Sequence, residues 1–179
     1  MQQPLAQPQI AVAHSFGLHL LAEQVLAGVR LLVVLGGFQA FHPEEERAGR
    51  RSRRLVVRQR QRLASEPEAL LADFYAQCFS PEIGQRAVPL VIGHQTLAAD
   101  LERLDAQTLD LSPLRALPQI LLLHGTEDQI VPVERAQELH RQLPKSRLQL
   151  IGGASHALPL TRASRCWAHL WQAWEELGP

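Results

Sequence analysis

Ser15, Asp128 and His156 are the residues of this chain whose types and surroundings could together do chemistry. A serine hydroxyl becomes a nucleophile when a histidine takes its proton. An aspartate holds that histidine in the right orientation and stabilises its protonated form. Such a set attacks an ester carbonyl, forms an acyl-enzyme and releases it to water. Ser15 sits in Ala13-His14-Ser15-Phe16-Gly17, between an apolar run and a helical pattern. This is the context of the G-x-S-x-G turn, here with alanine in the first glycine position. The turn lifts the serine above a sheet on strained backbone, so the residues two positions away must be small. The N–H of Phe16 would face a developing oxyanion, helped by the start of the helix. Taken alone, the same residues also make a plain strand-to-helix turn with a capping serine.

The other two partners follow apolar runs of their own. Leu121-Leu122-Leu123-His124-Gly125-Thr126-Glu127-Asp128 is a strand running into a loop that carries an acid. Glu127 is the alternative acid and would point the other way along the loop. Gly152-Gly153-Ala154-Ser155-His156 follows the last apolar run, and its small residues let the loop fold close. His156 can take the serine proton and return it to the leaving group. The order Ser, Asp, His, each after a strand, is what separates this set from a chance S-x-G. The remaining histidines, His14, His19, His42, His94, His124, His140 and His169, show no H-x-x-x-H or H-E-x-x-H spacing. No metal site is expected. His14, beside the turn, could touch substrate or pack under a lid.

Four short apolar runs must position these residues: Gln9–Ala13, Leu31–Leu35, Gln119–Leu123 and Arg147–Ile151. Continuous apolar runs fit parallel strands covered on both faces. Helical patterns follow at Leu18–Ala27, Val133–Leu143 and Arg162–Leu177. The alternation predicts an α/β core, residues 1–37 and 119–179, with a mostly parallel sheet of about four strands. Residues 38–118 break it with helices expected at Arg47–Ala64, Glu66–Phe79 and His94–Ala106. They form either a helical cap over the carboxyl end of the sheet, where ligands bind in such folds, or a separate helical unit. Phe38 and Phe41 could line an acyl channel under the cap or belong to the core.

Composition bounds the function. With 46% hydrophobic and 20% charged residues, the chain can bury a core. Eighteen basic and eighteen acidic residues balance, which argues against a general nucleic-acid binder. Basic charge is nevertheless concentrated: Arg47, Arg50, Arg51, Arg53, Arg54, Arg58, Arg60 and Arg62 lie together with no acid among them. The cluster is either a solvated helix offset by Glu44, Glu45 and Glu46, or a docking face for an acidic partner. Cys78 and Cys166 are far apart and read as free thiols. No run is apolar for the roughly 18 residues a membrane helix needs, and the first residues lack signal-peptide character. A cytoplasmic protein is expected.

The chain resembles the α/β-hydrolase superfamily through Ala13–Gly17, His124–Asp128 and Gly153–His156. Through Leu97, Asp100-Leu101, Leu109-Asp110-Leu111 and Leu114, and the arginine-rich helix, it looks most like the pimeloyl-acyl-carrier-protein methyl ester esterases of biotin synthesis. The resemblance implies a partial α/β-hydrolase fold and a serine carboxylesterase that needs no cofactor. Ser15 would be the nucleophile, His156 the base and Asp128 its partner. Phe16 would serve the oxyanion, and His14, Phe38 and Phe41 the substrate. Arg47, Arg50, Arg51, Arg54, Arg58 and Arg62 would dock acyl carrier protein. Only about fourteen residues precede Ser15, whereas such hydrolases open with several strands and a loop that gives a second oxyanion donor. Losing one donor costs roughly 10²–10³ in rate. An open sheet edge, with self-association there, is therefore expected. A late start codon, a complementing partner and a catalytically dead remnant remain open. Two further readings stand beside the first: an esterase or thioesterase for small free esters, and a non-catalytic module binding an acidic carrier protein.

Overall fold

A computed structural model describes residues 9–178. Its centre is a four-stranded parallel sheet: β1 (Ile10–His14), β2 (Leu31–Leu35), β3 (Gln119–Gly125) and β4 (Ser146–Ile151). The strands lie side by side in chain order, β1-β2-β3-β4. The predicted runs match them to within a residue or two. β2 and β3 are buried on both faces, which is why they read as unbroken apolar sequence. Leu32, Val34, Ile120 and Leu122 face one core cluster; Leu31, Val33, Leu121 and Leu123 face the other.

The helices are α1 (Glu23–Leu26), α2 (Glu46–Ser65), α3 (Pro67–Phe79), α4 (His94–Ala106), α5 (Ser112–Arg115), α6 (Val133–Gln142), α7 (Leu158–Thr161) and α8 (Ala163–Leu177). Leu139 of α6 covers the first cluster, and Cys166, Leu170 and Ala173 of α8 cover the second. β1 pairs only with β2 among the described residues.

One expectation changes form. Leu18–Ala27 is not a single helix but a 3-10 segment, Ser15–Leu20, then the single turn of α1. Leu21 and Ala22 between them are extended. The apolar residues here do not keep to one stripe: Leu18 and Leu26 enter the core while Leu20 and Val25 face outward. One continuous amphipathic face is therefore not on offer.

The segment between β2 and β3 leaves and returns at one place. Ala40 bridges Thr108, and Leu109 N–H donates to Gln39 O at 2.9 Å. Its helices bury little, and α4 has no buried residue. Polar contacts link them as well: Arg60 with Glu102, Arg62 with Asp73, and His42 with Asp105. No helix among the described residues is long and apolar enough to cross a membrane.

Candidate active site

Parallel register brings the loops to one edge. His14 ends β1 opposite Leu35, Leu35 lies opposite Leu123, and Gly125 ends β3 opposite Ile151. Ser15, Asp128 and His156 all leave the carboxyl ends of their strands, the side on which open α/β sheets bind ligands.

Ser15 has φ 55 and is the one described non-glycine residue with positive φ. That backbone is costly for a residue with a Cβ, by roughly 1–2 kcal/mol, and such strain persists where surrounding structure enforces it. Here the enforcing element is the direct passage from β1 into the 3-10 segment. Phe16 lies in its first turn, where N–H groups lack partners within the helix. The steric reading of the turn needs one correction. A Cβ on Gly17 would meet nothing within 4 Å, so the small residue there is not demanded by its surroundings in this structure.

His156 Nδ1 donates to Asp128 Oδ2 at 2.7 Å, and both residues are buried. Asp128 Oδ1 accepts from the N–H groups of Ile130 and Val131 at 2.9 and 2.8 Å. The carboxylate is thus fixed at both oxygens, and Nε2 of His156 is left as the proton acceptor. Glu127, the alternative acid, is exposed. Its N–H donates to Ala154 O at 3.0 Å, pinning the acid loop to the histidine loop. Gly125 allows this approach, since a Cβ there would run into the Ala154 carbonyl.

His14 Nε2 donates to His156 O at 3.0 Å, and the two rings lie 4.7 Å apart. The residue before Ser15 therefore touches the residue that would take its proton. The Ser15 hydroxyl itself has no hydrogen bond among the described residues; such bonds are often loose without substrate. Burial and the nearby His156 push the His14 pKa down. His124 is fully buried beneath the acid loop. Its Nε2 donates to Val131 O at 2.9 Å, its Nδ1 is unpartnered, and burial pushes its pKa down.

Aromatic rings run outward from Ser15. Phe16 stacks on His19 at 4.9 Å, His19 contacts Phe38, and Phe38 contacts Phe41. Phe38 is 1% exposed and is core; Phe41 is half-buried. The arginines all fall on α2. Arg50 pairs with Glu46, Arg60 with Glu102, and Arg62 with Glu66 and Asp73. Arg47, Arg51, Arg53, Arg54 and Arg58 have no ion pair among the described residues. One of the acids before α2 also acts locally. Glu45 caps the helix, accepting from the Arg47 and Ala48 N–H groups.

Nothing in the sequence pattern points to Glu82, just beyond α3. Its Oε2 accepts from Ser155 N–H, Ser155 Oγ and Thr161 Oγ1, each at 2.7 Å. Ser155 lies 73 positions away in the chain, a pairing no local pattern encodes.

Comparison with known proteins agrees with this architecture. The profile of the TAP-like protein family matches residues 96–174, which include Asp128 and His156 but not Ser15. No curated protein sequence matches the chain. Among solved structures, an esterase from Exiguobacterium antarcticum superposes with a TM-score of 0.74 at 17% identity, over 90% of this chain and 64% of its own. A thermophilic esterase from Thermogutta terrifontis gives 0.70 at 19% identity, over 95% and 65%. A bromoperoxidase from Bacillus anthracis gives 0.67 at 19% identity, over 93% and 67%. The chain therefore spans roughly two thirds of the length of these proteins, and only 64% of the first. At such identities the likeness is one of fold: the chain has a partial α/β-hydrolase fold.

Proposed function

We propose that this chain carries the site of a serine carboxylesterase. Ser15 attacks the ester carbonyl, and His156 takes its proton through Nε2. Asp128 holds the imidazole at Nδ1 and stabilises its charge. Phe16 N–H donates to the tetrahedral oxyanion, and the alcohol leaves with the proton carried by His156. Water then attacks the acyl-enzyme with His156 again as base. The observation that carries this reading is the buried 2.7 Å contact between His156 and Asp128 at the sheet edge where Ser15 holds its left-handed backbone. The test is labelling of the purified chain by a fluorophosphonate, with Ser15→Ala as control. Labelling lost in the control supports the mechanism; a folded wild type that is never labelled sinks it.

For the substrate, the reading is an ester carried on an acidic acyl carrier protein, as in the pimeloyl methyl esters of biotin synthesis. Four unpaired arginines, Arg47, Arg51, Arg54 and Arg58, share one face of α2 and favour it over small free esters, because a small ester needs no such face. The carrier protein would dock on the cap and pass its acyl chain toward Phe41 and His14. A non-catalytic carrier-binding module would keep the docking and dispense with Ser15, which the labelling experiment decides. β1, which pairs only with β2 among the described residues, offers a second association surface, for another copy of this chain.

A further inference from the structure

We propose that Glu82 is a positioning residue for His156, which makes the carboxyl end of α3 part of the catalytic assembly rather than only of its cover. The inference rests on the esterase reading for the word catalytic; the positioning itself can be observed without turnover.

His156 is held at its side chain by Asp128, but an imidazole is only as well placed as the backbone that carries it. That backbone is a short loop between β4 and α7. Ser155, the preceding residue, is fully buried and gives both its donors, N–H and Oγ, to Glu82 Oε2. Thr161, at the end of α7, donates to the same oxygen. The other oxygen faces Arg162, with Nε 2.7 Å from Oε1. That contact is an ion pair rather than an aligned hydrogen bond, since Arg162 Nε makes none.

One carboxylate thus gathers both flanks of His156. Burial alone would push the pKa of Glu82 up. The bonds from Ser155 and Thr161 and the charge of Arg162 outweigh it, so the net direction is down and the carboxylate stays charged.

The same stretch of chain makes two more ties. Ala157 N–H, on the far side of His156, donates to Cys78 O at 2.8 Å. Gln129, next to Asp128, donates from Nε2 to Ser80 Oγ at 3.0 Å. Residues 78–82 therefore clamp the histidine loop on both sides and the acid loop on one. A structural role in the cap would need none of these, because each partner lies in the loops of the core. Displacing a catalytic group by about 1 Å can cost 10²-fold in rate.

The experiment uses the full chain, uniformly ¹⁵N-labelled. Three quantities are read: exchange of the Ser155 N–H, the resonance of the His156 Nδ1–H, and the rate of Ser15 labelling by a fluorophosphonate. Glu82→Ala is expected to speed exchange at Ser155, to lose or broaden the His156 signal, and to slow labelling about 100-fold. Glu82→Gln keeps an acceptor for Ser155 and is expected to return within about tenfold of wild type. A folded Glu82→Ala chain that labels within twofold of wild type and keeps the Nδ1–H signal overturns the inference. If that variant does not fold, Ser155→Ala removes one of the three bonds and is read the same way: slower labelling supports the inference, an unchanged rate overturns it. A wild type that never labels defeats the esterase reading alone. The His156 signal must then still vanish in Glu82→Ala for the positioning to stand.

Discussion

A Cβ placed on Gly36 would stand 3.3 Å from Nδ1 and Cε1 of His156 and 3.4 Å from Asp128 Oδ2. Gly36 follows β2, the strand between the one that carries Ser15 and the one that leads to Asp128. His156, coming from β4, reaches His14 at the end of β1, so its loop must cross the ends of β3 and β2. Gly36 leaves that crossing open. Its φ of 57 also suits glycine. Gly36→Ala is expected to lose about 1–2 kcal/mol of stability from the left-handed backbone. It should also slow fluorophosphonate labelling of Ser15 by at least tenfold. Denaturant unfolding and labelling rates check both, and a variant as fast as wild type would show that His156 does not need the gap.

Ser15 is the reverse case. Its backbone is strained, and on the esterase reading stability is there given up for chemistry. Ser15→Gly should abolish labelling and raise stability by about 1 kcal/mol, the part of the strain a glycine relieves. Ser15→Ala should abolish labelling with little gain, because its Cβ remains. Urea melts of the two variants separate strain from chemistry. Equal stability would mean that φ 55 is relaxed in solution.

A loss of stability in acid is expected from three histidines of lowered pKa, of which only His124 is fully buried. Burial lowers the pKa of His14, His19 and His124 in the folded chain. The unfolded chain then binds more protons between the folded values and the usual value of about 6.5, so stability rises with pH across that window. It is fully present above about pH 6.5 and lost as pH falls through the lowered folded values. Glu82, also lowered, adds a further loss as pH falls below its usual value near 4.5. Melting temperatures from about pH 8 to 4 are expected to fall in that order. His124→Gln should flatten the upper part of the curve, since protonating His124 would bury a charge beside an unpartnered Nδ1.

The strands are legible in the sequence because burial on both faces leaves a continuous apolar signature, as in Leu31–Leu35. The helices between β2 and β3 are legible for the opposite reason. Val56 and Leu63 of α2 lie one heptad apart on a stripe flanked by arginines. Ser15, Asp128 and His156 can be chosen because each follows a strand, so order stands in for geometry. What cannot be read is whatever depends on loops meeting. Gly36 follows an apolar run without showing its use, and its φ of 57 together with the path of His156 explains it. Glu82 reads as one acid in a loop, and only Ser155 and Thr161 show its use. The break at Leu21–Ala22 is hidden because a spread of leucines imitates helical periodicity.

Which arginines can meet a partner is decided by α2 itself. Arg47, Arg51, Arg54 and Arg58 follow one another at steps of four, three and four. At about 100° per residue they fall within a stripe of about 60°, roughly 16 Å long. Arg50 and Arg62 border the stripe but face acids of their own, Glu46 and Glu66 with Asp73, while Arg60 reaches Glu102 on α4. An exposed pair contributes little energy, about 0–1 kcal/mol, yet it cancels the charge a carrier protein would meet. Changing Arg51, Arg54 and Arg58 together to Glu should therefore slow hydrolysis of a carrier-linked ester about 100-fold through KM. Hydrolysis of a small free ester should stay within twofold. Arg60→Glu, which disturbs only the tie to α4, should leave carrier-linked KM nearly unchanged. Salt supplies a second reading of the same charges: raising ionic strength should weaken carrier-linked turnover and spare the free ester, because steering between exposed charges is screened within about 10 Å at 0.1 M. If the triple change leaves both rates as they were, the stripe is a solvated surface and the carrier reading falls, while the esterase reading at Ser15 is untouched.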